Sequence, residues 1–445
     1  MRRASSRFIR PAPLAGSLLL ILAPAATAHA DDSVTSTPAA NATSMTITVR
    51  NCRDSGPGSL RAAVASALSG DTIDMTDLAC FQITIRSPIM IPQDDLTLVG
   101  DGIRVDGNRQ SSVFRHSGTG TLRIEGMTIA RGRQLGNTQS LGGCLYSAGN
   151  IELSHALVHW CHADRGGGLY AVGAVTVTNS QVLGNTAPRS YGGGIYAGGH
   201  LIARHSYICG NHSYRGGGAW SGQGLEARHT TFSNNTGGAL EARDGDSVIA
   251  NSTISNNTGP HITVFLDNQY APGGSAVIVN STISGNISRV VRYGVSGPIV
   301  VIRGGTKSIV NSTIAFNRYC GLNRGAVSVT GPSVHIESAI LANNSCDGSY
   351  DITGYNELEQ VVIEGADNLI TSSDDRVVLP PDTISADPRL APLASNGGQT
   401  RTHALLDDSP AIDMGNNAAD LAYDQRGTGF PRVKGPQADI GAYER

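Results

Sequence analysis

From about Ile83 to Asp374 the chain repeats short alternations of apolar and polar residues, broken at regular intervals by glycine clusters. One landmark is a glycine cluster followed by an apolar pair. It reads Gly142-Gly143-Cys144-Leu145-Tyr146, then Gly166-Gly167-Gly168-Leu169-Tyr170, Gly192-Gly193-Gly194-Ile195-Tyr196, Gly216-Gly217-Gly218-Ala219-Trp220 and Gly237-Gly238-Ala239-Leu240, with copies about 24 residues apart. A second landmark follows each copy and is clearest in Asn251-Ser252-Thr253-Ile254-Ser255-Asn256-Asn257. Aligning its copies gives an apolar column of Val158, Val182, Ile208, Phe232, Ile254, Ile283, Ile314 and Ile340. A small-residue column holds Ala156, Ser180, Ser206, Thr230, Ser252, Ser281, Ser312 and Ser338. A third column holds Cys161, Asn185, Asn211, Asn235, Asn257, Asn286, Asn317 and Asn343.

A unit this short cannot bury its apolar face alone. Stacking pairs each strand with the same strand of the next rung, about 4.8 Å away, so equivalent residues lie one above another. The pattern predicts an all-β right-handed parallel β-helix, a solenoid with the apolar column inside and the asparagines joined in an amide ladder. Glycine clusters supply tight corners. Leucine-rich repeats share the period but need a leucine consensus and a helical half. Propeller blades need longer repeats.

The ends differ from the repeats. Residues 46–101 read as an N-terminal cap with the first rungs, 102–385 as the β-helix, and 386–445 as a loop-rich C-terminal cap where the rung pattern stops. Leu60 to Leu68 is Ala-rich and stops at Ser69-Gly70, which predicts a short helix covering the first open rung. Residues 1–30 have the order of a signal peptide: basic Arg2, Arg3, Arg7 and Arg10, an apolar run from Leu14 to Ala26, and a small-x-small site at Ala28-His29-Ala30. The Arg2-Arg3 pair lacks the apolar residues that a twin-arginine signal places next, so ordinary export is expected. Residues 31–45 read as a flexible leader.

Composition narrows the partners. A formal charge of −3 without a basic block counts against nucleic acid and anionic membrane. No later run has transmembrane length, and no lipidation cysteine follows the signal. Fifty-five glycines and 5% aromatics would suit disorder, but the regular Val, Ile and Leu clusters exclude it. Seven cysteines in an exported chain permit disulfides, and the odd number leaves at least one without a partner in the chain. Cys320 and Cys346 each follow a ladder asparagine by three residues, which suits a disulfide between adjacent rungs. Cys52 and Cys80 flank the first structured segment and are expected to staple it. Cys144, Cys161 and Cys209 stay unassigned. There is no CxxC and no zinc spacing, so no metal or cofactor is expected.

The motifs also resemble known families. Gly192 to Tyr196 and Phe232 to Asn235 look like the GGA[IL] and FxxN repeats of polymorphic outer-membrane proteins. Cys52 with Gly58-Ser59-Leu60-Arg61 and Gly70-Asp71-Thr72-Ile73 resembles the CSLREA segment of bacterial β-helix surface proteins, although Cys52 stands apart from the Ser-Leu-Arg run. The tail is similar to "choice-of-anchor Q" proteins in Asn396-Gly397-Gly398-Gln399-Thr400, Thr402-His403-Ala404-Leu405, Ser409-Pro410-Ala411-Ile412-Asp413, Asp424-Gln425-Arg426-Gly427 and Asp439-Ile440-Gly441-Ala442-Tyr443-Glu444. The resemblance implies a pectate-lyase-like β-helix at the outer membrane or cell surface, or secreted, and implies no activity. No sorting signal or autotransporter barrel follows Glu444, so release or periplasmic retention are alternatives to attachment.

Candidate chemistry is sparse. Tyr146, Tyr170, Tyr196 and Trp220 share one aligned position on four successive rungs. Facing outward they make a strip spaced for a glycan, and facing inward a core stack. Strand neighbours face opposite sides, and Leu145, Leu169 and Ile195 are the better core residues. Asp413, Asp424, Arg426, Asp439 and Glu444 form the densest charged set, expected to hold the C-terminal segment together by ion pairs, with a metal or sugar site as the alternative. His155, His205 and His229 share a position held by Asn in other rungs, with no carboxylate aligned, which suits polar corners. Pectin hydrolases pair Asp-Asp with N-x-D, G-H-G and R-x-K, and none of these three is expected here. Asp94-Asp95, Asp374-Asp375 and Asp407-Asp408 lack those companions, so no catalytic residue is assigned. No G-x-S-x-G occurs. The expectation is a monomeric, non-catalytic adhesion or surface protein with a polysaccharide or surface glycoprotein as partner. A carbohydrate-active enzyme and a structural envelope component are the alternatives.

Overall fold

In the computed structural model, residues 44–445 are described except for 135–139, 260–261, 272, 289–296, 320–324, 345–348 and 356–359. The chain winds as a parallel β-helix with three faces, formed by sheets of 14, 12 and 11 strands. One rung shows the order. Leu145–Ser147 lies on the 11-stranded face, Asn150–Ser154 on the 14-stranded face and Leu157–His159 on the 12-stranded face. The next rung then starts at Leu169–Ala171, with Leu145 opposite Leu169 and Tyr146 opposite Tyr170. Such parallel crossovers take the right-handed path because strands twist that way. The first strand is Thr46–Thr48, paired with Thr72–Asp74, so winding begins well before Ile83.

Glycine clusters serve two needs. The first glycine has positive φ, 61° at Gly166 and 67° at Gly192. The second lies against the next rung: a Cβ on Gly167 would stand 2.4 Å from the Gly193 carbonyl oxygen, which no side chain tolerates.

The interior apolar column from Val158 to Ile314 is fully buried. Beside it runs the amide ladder. The backbone N–H and Nδ2 of Asn185 both donate to Oδ1 of Asn211, at 3.0 Å each. The same pair of bonds links Asn211 to Asn235, Asn235 to Asn257, Asn257 to Asn286, Asn286 to Asn317 and Asn317 to Asn344. Each Nδ2 also donates to a carbonyl of the preceding rung, as Asn235 does to Ile208. Such a ladder has a direction and must end on an acceptor without donors. Asp351 fills that place: its Oδ1 accepts from both Asn344 nitrogens at 2.9 and 3.1 Å. At the other end Cys161, bonded to Cys144, offers its N–H to Asn185.

The last copy of the repeat is one residue out of the sequence alignment. Ile314 pairs with Leu341, which places Ala339, Leu341 and Asn344 in the three columns instead of Ser338, Ile340 and Asn343. Ser338 has a left-handed φ of 51°, like Asn311 at 43°, so it is the corner residue of its rung. Ile340 turns outward into a second apolar cluster with Leu405, Ala411 and Ile440. Cys346 thus follows its ladder asparagine by two residues, which removes the equal-offset argument for pairing it with Cys320. Both cysteines lie outside the described residues. Cys52 is joined to Cys80, and Cys209 is free.

The helix spans Leu60–Ser66 and buries Leu60, Ala63 and Val64 against the first rungs. Ser59 caps it, its hydroxyl accepting the Ala62 N–H. It stops at an extended Ala67, and Gly70 belongs to the turn that follows, so the expected glycine stop is not used.

Residues 386–445 lie along the flank of the solenoid, against the 12-stranded face, instead of closing its end. Thr253, Ser255, Thr282, Ser284 and Thr313 point out of that face yet are nearly fully buried. Thr282 donates to Gln425, Ser284 meets His403, and Thr313 Oγ1 accepts the Ala442 N–H. The left-handed corner asparagines make a second row of contacts: Asn251 to the Asp424 carbonyl, Asn280 to Tyr423 and Asn311 to Asn416.

Candidate functional site

Alternation along the 11-stranded face turns Leu145, Leu169, Ile195 and Ala219 inward and sets Tyr146, Tyr170, Tyr196 and Trp220 outward, half-buried. The four rings stack face to face. Centroids lie 5.8, 4.5 and 4.4 Å apart, with planes inclined by 7°, 5° and 11°. Stacking at rung spacing is worth about 0.5–1.5 kcal/mol per pair. It also covers the inner ring faces, so the strip presents ring edges and three phenol hydroxyls to solvent. Burial and the neighbouring Tyr170 push the Tyr196 phenol pKa up.

Guanidiniums edge the strip. Arg115 sits 4.5 Å over the Tyr146 ring, and Arg165 lies 5.4 Å from Tyr196 while donating to Ser190. At the far end Trp220 is followed in register by Glu241 and then Phe265. Glu241 is clasped by Arg215 at 3.0 Å and Arg243 at 2.7 Å, and Asp267 by Arg243 at 2.9 Å. Arg215, Arg243 and Arg303 all lie within 5.7 Å of the Phe265 ring centre. The face therefore combines hydroxyls, ring edges and cations, with both of these carboxylates held by arginine.

The five charged tail residues converge. Arg426 chelates Asp424, with Nη2 to Oδ2 at 2.6 Å, donates to the Glu444 carbonyl, and is sandwiched by Phe430 and Tyr443 at 4.0 and 3.9 Å. Asp439 accepts the N–H groups of Asp413 and Arg445, and Glu444 accepts those of Lys434 and Asp439. Burial pushes the Glu444 carboxyl pKa up. At the centre lies Arg432, 1% exposed, donating to the carbonyls of Gly441 and Asp439 and to Glu444. Against the expectation that no R-x-K element occurs, Arg432 and Lys434 have that spacing. The burial of Arg432 in the tail sets it to structural contacts.

His155, His205 and His229 all stand at left-handed corners, φ 48–50°. His205 and His229 stack at 4.9 Å, and His205 meets Gln399 of the tail. Among the described residues no group of three or more His, Cys, Asp or Glu is placed to hold a metal.

His403 couples the docking of the tail to pH. Nδ1 lies 2.7 Å from the Ala391 carbonyl and so donates, which leaves Nε2 to accept from Ser284 at 2.7 Å. Burial holds its pKa below the ordinary value. Docking stability is therefore full above about pH 6.5 and is lost as pH falls from there through the folded-state value. Hydrogen-exchange protection factors in 386–445, corrected for the intrinsic rate at each pH, are expected to fall at pH 5 relative to pH 7.5, less so in His403→Gln. Equal protection at both pH values would remove this role.

Three clefts adjoin these elements, one of them, of about 390 Å³, beside Asp413, Lys434, Asp439 and Glu444 of the charged tail set. A second, of about 500 Å³, lies between Asn256, Phe316 and tail residues Leu390, Leu393, Arg401 and His403. Another, of about 190 Å³, is lined by Arg109, Gly132, Arg133, Trp160 and His162. No family model and no curated protein matches the chain. Among solved structures the pectate lyase Pel9A is similar over 90% of this chain and 97% of its own, at 15% identity and a TM-score of 0.38. A likeness that loose carries no argument, and the parallel β-helix rests on the strand register itself.

Proposed function

We propose that the chain is an exported, non-catalytic β-helix protein whose 11-stranded face binds a glycan, in adhesion or surface interaction. The observation that carries this reading is the half-exposed ladder Tyr146-Tyr170-Tyr196-Trp220 edged by Arg115 and Arg165. Because the inner ring faces are occupied by one another, the ligand lies across ring edges and is held by phenol hydroxyls and guanidiniums. A repeating polysaccharide or a surface glycoprotein meets such a row at several points, and a solenoid offers that length. The two disulfides among the described residues agree with an oxidising compartment, and no helix among those residues is long and apolar enough to cross a membrane. The expected signal peptide, 1–30, and all but Ser44 and Met45 of the expected leader, 31–45, lie outside the described residues.

The enzyme reading needs an acid or base free to act. On this face Glu241 and Asp267 are engaged by Arg215 and Arg243, which favours binding over cleavage. We read the tail as akin to choice-of-anchor Q proteins, with Gln399, His403, Asp424 and Gln425 fastening it to the solenoid and Arg426 holding the tail together.

Affinity electrophoresis through gels holding single polysaccharides tests the proposal. At least one should retard the wild-type chain, and Tyr170→Ala with Tyr196→Ala should abolish the shift while circular dichroism stays unchanged. Equal retardation of wild type and double variant, or none across acidic and neutral glycans, sinks it.

A further inference from the structure

The corner after each strand of the 12-stranded face is left-handed in rung after rung. It is Gly184, Gly210, Asn234, Asn256, Gly285 and Asn343 in most rungs, residues that take this conformation at little cost, with Arg131 and Phe316 at the corner in two others. Trp160 stands at the same corner with φ 56°. A bulky side chain there is strained by the contact of its Cβ with the backbone. Folding offsets little of this strain, because Trp160 is 57% exposed. The rung above makes room for the ring: a Cβ on Gly184 would come within 3.0 Å of Trp160 Cδ1. His159 supports it from below at 4.4 Å.

Strain, exposure and a glycine that clears space for the indole coincide at the 190 Å³ cleft. Its other walls are Arg109, itself left-handed at φ 58°, Arg133 and His162. Arg109 and Arg133 have no ion-pair partner among the described residues. Burial and the neighbouring Arg133 and Arg189 hold the His162 pKa down, so its ring is a neutral hydrogen-bonding group at pH 7.

We infer that this cleft is a binding site for an anionic pyranose, a uronate or a sulfated sugar. The sugar ring lies on the Trp160 indole and its carboxylate or sulfate between Arg109 and Arg133. An indole face takes up the C–H surface of a sugar, and arginine matches a planar carboxylate or a sulfate by paired hydrogen bonds. The inference rests on the carbohydrate reading above but concerns a separate site, at the opposite end of the loop that leads to Tyr170.

The chain has two tryptophans, Trp160 and Trp220, so each site can report alone. In Trp220→Phe, fluorescence comes from Trp160. Titration with glucuronate disaccharides and with 6-sulfated saccharides should give saturable changes, weakened roughly tenfold or more by Arg109→Ala with Arg133→Ala. A neutral disaccharide of the same size should act far more weakly. A response to one anion only identifies the charge that the cleft selects. No response from Trp160, or equal responses to neutral and charged sugars, overturns the inference. In Trp160→Phe, Trp220 reports the strip, so failure of the strip reading is seen separately.

Discussion

Asn235→Leu is expected to cost roughly 4 kcal/mol or more, the largest effect of any single interior change. The substitution removes the acceptor of the Asn211 N–H and Nδ2 and the Nδ2 that donates to the Ile208 carbonyl and to Asn257 Oδ1, while the backbone N–H to Asn257 Oδ1 remains. Asn211, Asn235 and Asn257 are fully buried, so water does not replace what is lost. Each orphaned group costs about 1–3 kcal/mol. A solenoid can lose this locally, since each rung touches only its neighbours. Hydrogen exchange should therefore rise first in Tyr207–Cys209, Thr231–Ser233 and Thr253–Ser255, with a matching fall in the denaturant midpoint. Ser233→Ala, on the outer side of the same strand, should change little. A fall below 1 kcal/mol for Asn235→Leu would show that the amide ladder contributes little.

Arg432→Met comes next and acts on the tail. It strips the Gly441 and Asp439 carbonyls of their Arg432 donors and removes the cation from the Glu444 carboxylate, which keeps the Lys434 and Asp439 N–H groups, inside a region that excludes water. Breaking a buried pair by removing one partner costs about 3–5 kcal/mol. The tail is fastened to the 12-stranded face by Gln425, His403 and Ala442, so its loosening should leave the rungs standing. Limited proteolysis should cut within 386–445 and leave a stable solenoid fragment. Arg445→Met, which breaks the exposed pair with Asp407, should change stability by about 1 kcal/mol at most. Cleavage of solenoid and tail together would mean that the two are one cooperative unit.

The parallel β-helix was legible because stacking writes the same residue into the same place, rung after rung, as in Val182, Ile208 and Phe232. The alignment slipped at Ser338 because a serine fills both the interior small-residue column and a left-handed corner, and sequence does not tell the two apart. The place of the tail was hidden for a different reason. Thr253, Thr282 and Thr313 read as solvent-facing strand residues, and only folding shows that Gln425 and Ala442 meet them. The strip was visible as an aligned column, yet its consequence was not. Periodicity sets Tyr146, Tyr170, Tyr196 and Trp220 in line without revealing that their faces are spent on one another. Trp160 escaped notice because it follows Val158 and His159 like any strand end. Its strain is a property of φ alone. Arg432 lay between the tail motifs, and charged residues are rarely buried without partners, so sequence gave no cue to its depth.

The most direct test of the account is to incubate the mature chain with the polysaccharide that retards it and follow the polymer's length by size-exclusion chromatography, with and without calcium. Binding by the strip predicts a polymer shifted by bound protein and unchanged in length once the protein is removed. Shortened chains, new reducing ends or unsaturated products would contradict it and make the protein an enzyme.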